Sequence, residues 1–394
     1  MSARGSAWAM VLITAGTLCG LAATDLILPA IPMLPSVVEG TPELAQWVLA
    51  GFAAGIGIGL LLFGELGARF RIADVLIVSL VAFSGLSFLA TLVESLVQMS
   101  VIRFFQGIAA AAPAVYAPVM VRGLYSGPRV VAMMGRIGSI ESMAPAIAPI
   151  IGAALLSAFG WKSSFYVVAG VSVLLALGWL TAPGLRTQFV RLDKVEGGYL
   201  KLLSSPRFLR YALSQGCTLG GLLVIVFAAP TVITTSMGGS LSDFIVMQVG
   251  GITLFVITAN MTGVFARWWG TEGAIFVGSA MSAVGCCGVL VLALVDGRSI
   301  PVLWLCFLLV NAGLGIRGPA GFYQALVASG DDDSRGSALV VFLVMLITAG
   351  GTAAIAPFIE VGLLPVAIGA ASISFVSVVT LIATTPMTEE ASGA

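Results

Sequence analysis

Five ionisable side chains lie inside long apolar runs of the sequence: Asp25, Arg103, Arg136, Glu141 and Arg317. An ionisable group in hydrocarbon costs about 3 kcal/mol or more, and it survives where it pairs or faces a wet cavity. The chemistry open to these residues is short: carry a proton, hold an ion pair, or bind a polar ligand. A carboxylate near an arginine suits the first, because a cation favours its ionised form while burial favours its neutral form.

Asp25 lies roughly 13 Å from the outer end of the first apolar run, and Arg103 roughly 9 Å from that of the fourth. These depths allow them to meet. Either Asp25 exchanges a proton there, or a permanent Asp25–Arg103 pair only fixes helix packing. Glu141 and Arg317 lie roughly 18 and 16 Å from the inner ends of the fifth and tenth runs. They are expected to pair across a cavity until a substrate carboxylate displaces Glu141, which then takes a proton, since a guanidinium presents a rigid fork to a carboxylate. The other reading is that Arg317 only neutralises Glu141. Arg136, five residues before Glu141, is not on the same helical face and reads as snorkelling to the surface.

Uncharged residues complete a candidate substrate site: Gln106, three residues after Arg103, with Asn311, Tyr116, Gln215, Asn260, Tyr323 and Gln324. Each is equally able to hydrogen-bond between helices, which is ordinary in lipid. The glycines at 51, 55 and 59 fall on one face and read as close helix packing.

The elements that must carry these residues follow from composition. The 394 residues are 59% hydrophobic and 9% charged, with mean hydropathy +1.10. A soluble domain carries roughly a quarter charged residues, so a soluble enzyme or a nucleic-acid binder is excluded. With no histidine, histidine proton relays and Ser-His-Asp hydrolysis are excluded too. Cys19, Cys217, Cys286, Cys287 and Cys306 lie in apolar runs without a CxxC and read as packing residues. The apolar runs lack the two-residue alternation of a barrel strand. The fold class is therefore an all-α integral membrane protein of twelve transmembrane helices, at about 20 residues per span.

The spans fall at 8–34, 44–66, 73–95, 97–124, 131–156 and 162–182, then 208–236, 242–266, 272–295, 299–327, 335–359 and 362–383. Residues 183–207, with Arg186, Arg191, Lys194, Lys201 and Arg207, read as a central cytoplasmic loop. It separates an N-terminal half, 1–182, from a C-terminal half, 208–394. Positive residues gather on one side (Arg4, Arg69, Arg71, Arg122, Arg129, Arg210, Arg267, Arg335), and only Lys162 and Arg298 on the other. That bias places both termini in the cytoplasm. Ala146-Ile147-Ala148-Pro149 recurs 208 residues later as Ala354-Ile355-Ala356-Pro357. The recurrence supports two pseudo-symmetric six-helix halves, an arrangement that puts a substrate site near the midplane. Pro145 and Pro149 should bend the fifth span. Asp331-Asp332-Asp333 lacks the remaining ligand spacing of a calcium loop and reads as a solvated loop.

Several motifs add a resemblance. Arg103-Phe104-Phe105-Gln106-Gly107 resembles the RxxQG motif of span four in the major facilitator superfamily. Ala144-Pro145-Ala146-Ile147-Ala148-Pro149 with Gly152 resembles the span-five antiporter motif, and Gly160-Trp161-Lys162 with Phe165 the start of span six. Asp25-Leu26-Ile27-Leu28-Pro29-Ala30-Ile31-Pro32 resembles the signature of Bcr/CflA-type drug-resistance transporters, with Ile27 in place of its tyrosine. Gly64 to Arg71 resembles the family's gating loop between spans two and three, with Ala68 where an aspartate is usual. The resemblance implies the major facilitator fold, a proton site at an acid in span one, here Asp25, and gating roles near Gly64, Arg69, Pro145 and Pro149.

The expected function is a proton-coupled secondary transporter in the inner membrane. It would export a drug-like compound or a carboxylate-bearing metabolite such as a siderophore by alternating access. The alternative is a symporter or facilitator importing an anionic metabolite. No nucleotide-binding loop is present. The expected partners are protons, a small molecule and the lipid bilayer. No cofactor, nucleic acid or protein partner is expected, and the chain reads as a monomer and not an enzyme.

Overall fold

The computed structural model describes residues 3–125, 133, 136–138, 140–182, 198–295, 297–330 and 333–386. Arg129, Arg186, Arg191, Lys194, Asp331 and Asp332 lie outside the described residues. Eleven described helices are long and apolar enough to cross a membrane, and Ala144–Phe159 is a shorter apolar helix. The chain divides into two compact units, Met1–Lys194 and Val195–Ala394.

The first unit contains α1 (Ala3–Asp25), α2 (Leu34–Val37), α3 (Pro42–Arg69), α4 (Ile72–Leu89), α5 (Leu96–Ala110), α6 (Ala112–Leu124), α7 (Ala144–Phe159) and α8 (Ser163–Leu180). The second contains α9 (Tyr199–Leu203), α10 (Pro206–Thr235), α11 (Leu241–Asn260), α12 (Thr262–Leu294), α13 (Ile300–Ser329), α14 (Asp333–Ile355) and α15 (Leu363–Ala383). Helix starts are set by side-chain caps. Thr41, Ser95, Ser205 and Ser240 each accept from a backbone N–H three residues on, and Ser240 with Asp243 forms a reciprocal capping box.

In the first unit α3 packs on α5 at backbone contact. A Cβ at Gly51, Gly55 or Gly59 would meet the carbonyl of Ser100, Phe104 or Ile108 respectively. The four-residue step is the same on both helices, so only glycine lets these backbones meet. In the second unit Leu202 of α9 joins a buried cluster with Phe208, Tyr211, Ile275 and Leu339. Part of the segment expected as loop is thus a docked helical turn.

The structure corrects several span boundaries. The first span is not one α-helix: α1 stops at Asp25 and a 3-10 turn runs Leu28–Met33. Pro29, Pro32 and Pro35 lack the N–H groups needed to continue it. The third span ends at Leu89, and Glu39 then bridges Ser95. The fourth breaks at Ala111 before Pro113, and the Ala109 carbonyl, which Pro113 cannot reach, accepts from Ser79 Oγ. Likewise the Gly315 carbonyl, left free by Pro319, accepts from Thr262 Oγ1 at 3.1 Å.

Pro145 stands in the first turn of α7, where proline is tolerated; only Pro149 is interior. The expected loop between spans eight and nine is mostly helical, because α12 begins at Thr262 and turns at Gly270, whose φ of 70° suits glycine. The repeated tetrapeptide adopts different structure in its two copies. Ala146–Pro149 lies within α7, whereas α14 ends at Ile355 and Ala356 opens a 3-10 turn. Gly64 through Arg69 belong to α3, leaving only a short turn before α4.

Candidate functional site

In the first unit a buried polar chain runs through three helices. Arg103 Nη1 donates to Gln106 Oε1 at 2.8 Å and reaches the Ala23 carbonyl at 3.5 Å. Gln106 Nε2 donates to Ser87 Oγ at 2.6 Å, and Ser87 Oγ donates to the Phe83 carbonyl. The Ala23 carbonyl is available because Ile27 N bonds Thr24 O instead, as α1 gives way to the 3-10 turn. The Arg103 guanidinium sits 3.8 Å from the centre of the Phe52 ring, a cation–π contact away from water. Its Nε and Nη2 are buried without a partner.

Asp25 ends α1 and is 9% exposed. Among the described residues no ion pair within 4.0 Å joins it to Arg103, although Arg103 reaches the same helix two residues earlier. Glu141 is half-buried, and the Thr17 hydroxyl of the same unit donates to the Thr14 carbonyl at 3.0 Å. Arg136 is exposed and reaches Met133 Sδ at 3.9 Å. Tyr116 is buried and donates to the Phe63 carbonyl at 2.8 Å, tying α6 to α3. Arg69 makes an exposed pair with Glu65 at 4.0 Å, an arrangement worth little.

In the second unit Arg317 is fully buried. Nη1 donates to the Ser214 carbonyl at 2.6 Å and to Thr218 Oγ1 at 3.0 Å, and Nη2 donates to Ser214 Oγ at 3.1 Å. Ser377 Oγ also donates to the Ser214 carbonyl, at 2.9 Å. Arg317 therefore pins α13 to α10, and its described bonds stay within its own unit. The sequence reading missed Ser214 and Thr218; the signal was their spacing of four on a helix that carries few other hydroxyls near its start. Asn311 bonds the Phe307 carbonyl of its own helix, and Asn260 likewise bonds Val256.

Between α10, α11 and α13 lies an open hollow of about 480 Å³ lined mainly by apolar groups, with Gln215, Phe255, Gly318, Phe322 and Tyr323 in its wall. Gln215 and Gln324 are buried, and the Oε1 of each has no hydrogen-bond partner.

One cluster escaped the sequence reading. Arg210, which by sequence is only one of the positive residues of the inner face, is 5% exposed. Its Nη2 meets Glu272 Oε2 at 2.7 Å, and Nη1 donates to the Leu381 carbonyl at 2.6 Å and to Thr384. Tyr211 donates to Glu272 Oε1 at 2.6 Å. Arg210 thereby caps the carbonyl end of α15 and ties it to α10 and α12. Cys19, Cys217 and Cys286 are buried free thiols, Cys306 is half-buried and Cys287 is exposed. Among the described residues no three His, Cys, Asp or Glu side chains are grouped to hold a metal.

Two compact units of long apolar helices, each with a buried polar cluster, are the architecture of a multi-pass membrane protein. Residues 13–355 match the family described as the Major Facilitator Superfamily, and the chain belongs to that family. It is 25% identical over 277 residues to a bicyclomycin resistance protein homolog of Haemophilus influenzae, covering 69% of this chain and 70% of that one. It is 26% identical over 294 residues to a chloramphenicol resistance protein of Pseudomonas aeruginosa, covering 72% and 70%. Among solved structures, the partially occluded inward-open xylose transporter XylE of E. coli superposes with TM-score 0.69 at 16% identity, covering 98% and 99%. That last likeness concerns the fold.

Proposed function

We propose that this chain is a proton-coupled exporter of a drug-like small molecule, working by alternating access in the cytoplasmic membrane with both termini inside. The observation that carries the reading is the setting of Asp25. Its carboxyl is largely removed from water, and among the described residues no cation lies within 4.0 Å of it. A carboxylate without a fixed counter-charge responds to any change in its access to water, which is the property a proton carrier needs. Competition between proton and substrate then couples the two fluxes by reciprocity. The resistance proteins among its relatives support export. The bonds of Arg317 to Ser214 and Thr218 weigh against an anionic substrate paired to that guanidinium.

The test is proton movement in energised everted vesicles containing wild type or Asp25→Asn, challenged with cationic, neutral and carboxylate compounds. Compound-driven loss of the proton gradient is expected only with Asp25 intact. Equal proton release by Asp25→Asn would overturn the assignment.

A further inference from the structure

Asp25 stands in the chain between two carbonyls that are held from other helices. Before it, the Ala23 carbonyl is reached by Arg103 Nη1 of α5 at 3.5 Å. After it, the Leu26 carbonyl accepts from Ser164 Oγ of α8 at 3.0 Å. The second bond fills a gap set by sequence. A 3-10 turn continuing from α1 would close on the Leu26 carbonyl with the N–H of residue 29, and Pro29 has none. Ala30 N, the next donor along, bonds the Ile27 carbonyl. A buried carbonyl without a donor is costly, and Ser164, 5% exposed, supplies one. The approach is close from α7 as well, because a Cβ at Gly152 would collide with the same Leu26 oxygen. The peptide that directly follows Asp25 is therefore clamped between α7 and α8.

We propose that Ser164 is a positioning residue for Asp25: its hydroxyl holds the break after α1 closed and so keeps water from the neighbouring carboxyl. The inference rests on the proposed function, in which Asp25 carries the proton. Among the described residues, the charged and titratable side chains on the elements packed against α1 are Arg103 on α5, Tyr116 on α6, Glu141 just before α7, and Lys162 and Tyr166 at the start of α8. Tyr116 is bonded to Phe63, Lys162 lies over the Trp161 ring, Tyr166 is exposed against Phe88, and Glu141 is half-buried. Arg103, at the Ala23 carbonyl, is the charge that approaches the end of α1. Releasing the Leu26 carbonyl would let the turn open to water, and water favours an ionised carboxylate.

The experiment is carbodiimide labelling of the full chain in lipid nanodiscs. Dicyclohexylcarbodiimide is apolar and reacts with protonated carboxyls. The extent of Asp25 modification against pH, read by peptide mass spectrometry, therefore reports where that carboxyl holds its proton. In Ser164→Ala the labelling midpoint should move to lower pH by about half a unit or more. Ser164→Thr, which keeps the hydroxyl, should return it to the wild-type position. Ser84→Ala is the control: Ser84 is 8% exposed and its Oγ donates to the Ala169 carbonyl, also on α8, at 2.9 Å. That variant removes the same kind of bond and should leave the Asp25 midpoint where it was. If Ser164→Ala does not fold, Ser164→Cys, which keeps the shape but donates weakly, decides in its place. An unchanged midpoint in the Ser164 variant, an equal shift in Ser84→Ala, or no pH-dependent labelling of Asp25 in wild type would overturn the inference. A Ser164-dependent midpoint together with proton release in vesicles that survives Asp25→Asn would overturn the transport reading and leave the positioning role standing.

Discussion

Arg317 donates to the Ser214 carbonyl at 2.6 Å across 103 residues of sequence. The same carbonyl accepts from Ser377 Oγ at 2.9 Å, so one backbone oxygen on α10 gathers α13 and α15. A buried guanidinium held this way is a structural anchor with only part of its donor set to spare. That changes the meaning of the arginine from a ligand for anions to a buried tie between α13 and α10.

Replacing Arg317 by lysine should test the anchor. An ammonium cannot hold the fork of bonds to Ser214 and Thr218. Loss of about 1–3 kcal/mol is expected, read as a lower midpoint of thermal unfolding in detergent. An unchanged midpoint would show the anchor to be dispensable.

The Arg210–Glu272 pair at 2.7 Å should behave as a coupled unit. Arg210→Gln and Glu272→Gln, with the double variant, should give a coupling energy of about 1–3 kcal/mol in a double-mutant cycle. Simple additivity would mean that the carbonyl bonds of Arg210 to Leu381 and Thr384 carry its whole effect.

The glycine contacts between α3 and α5 predict opposite outcomes for two similar changes. At Gly55 a methyl meets the Phe104 backbone, which cannot move aside, so Gly55→Ala should destabilise by about 1–3 kcal/mol or more. At Gly85 nothing lies within 4 Å, and Gly85→Ala should leave the unfolding midpoint unchanged or slightly raised. Comparable losses at both positions would show that backbone approach is not what matters.

Gln106→Leu would leave Arg103 Nη1 without its 2.8 Å acceptor and Ser87 without its donor. About 1–3 kcal/mol of destabilisation is expected. Full stability in this variant, measured by thermal unfolding, would show that the Phe52 ring and the Ala23 carbonyl suffice to hold Arg103.

What could be read from the sequence is what depends on local composition. Runs of about 20 apolar residues with few charges specify spanning helices because lipid leaves their backbone groups no other partner. The motifs around Asp25, Arg103 and Pro145 carried the family. The i, i+3 spacing of Arg103 and Gln106 sets both on one face, where they bond. Partner choice was not local. Asp25 and Arg103 have compatible depths, yet the end of α1 offers Arg103 the Ala23 carbonyl, because the 3-10 turn releases it. Arg210 looks like a surface charge until α15 brings its bare carbonyl end, and α12 brings Glu272, to the same place. The bonds of Arg317 exist only because α10 sets Ser214 and Thr218 opposite α13. Each of these depends on which buried donor meets which free acceptor when helices distant in sequence pack together, and that is decided by tertiary structure.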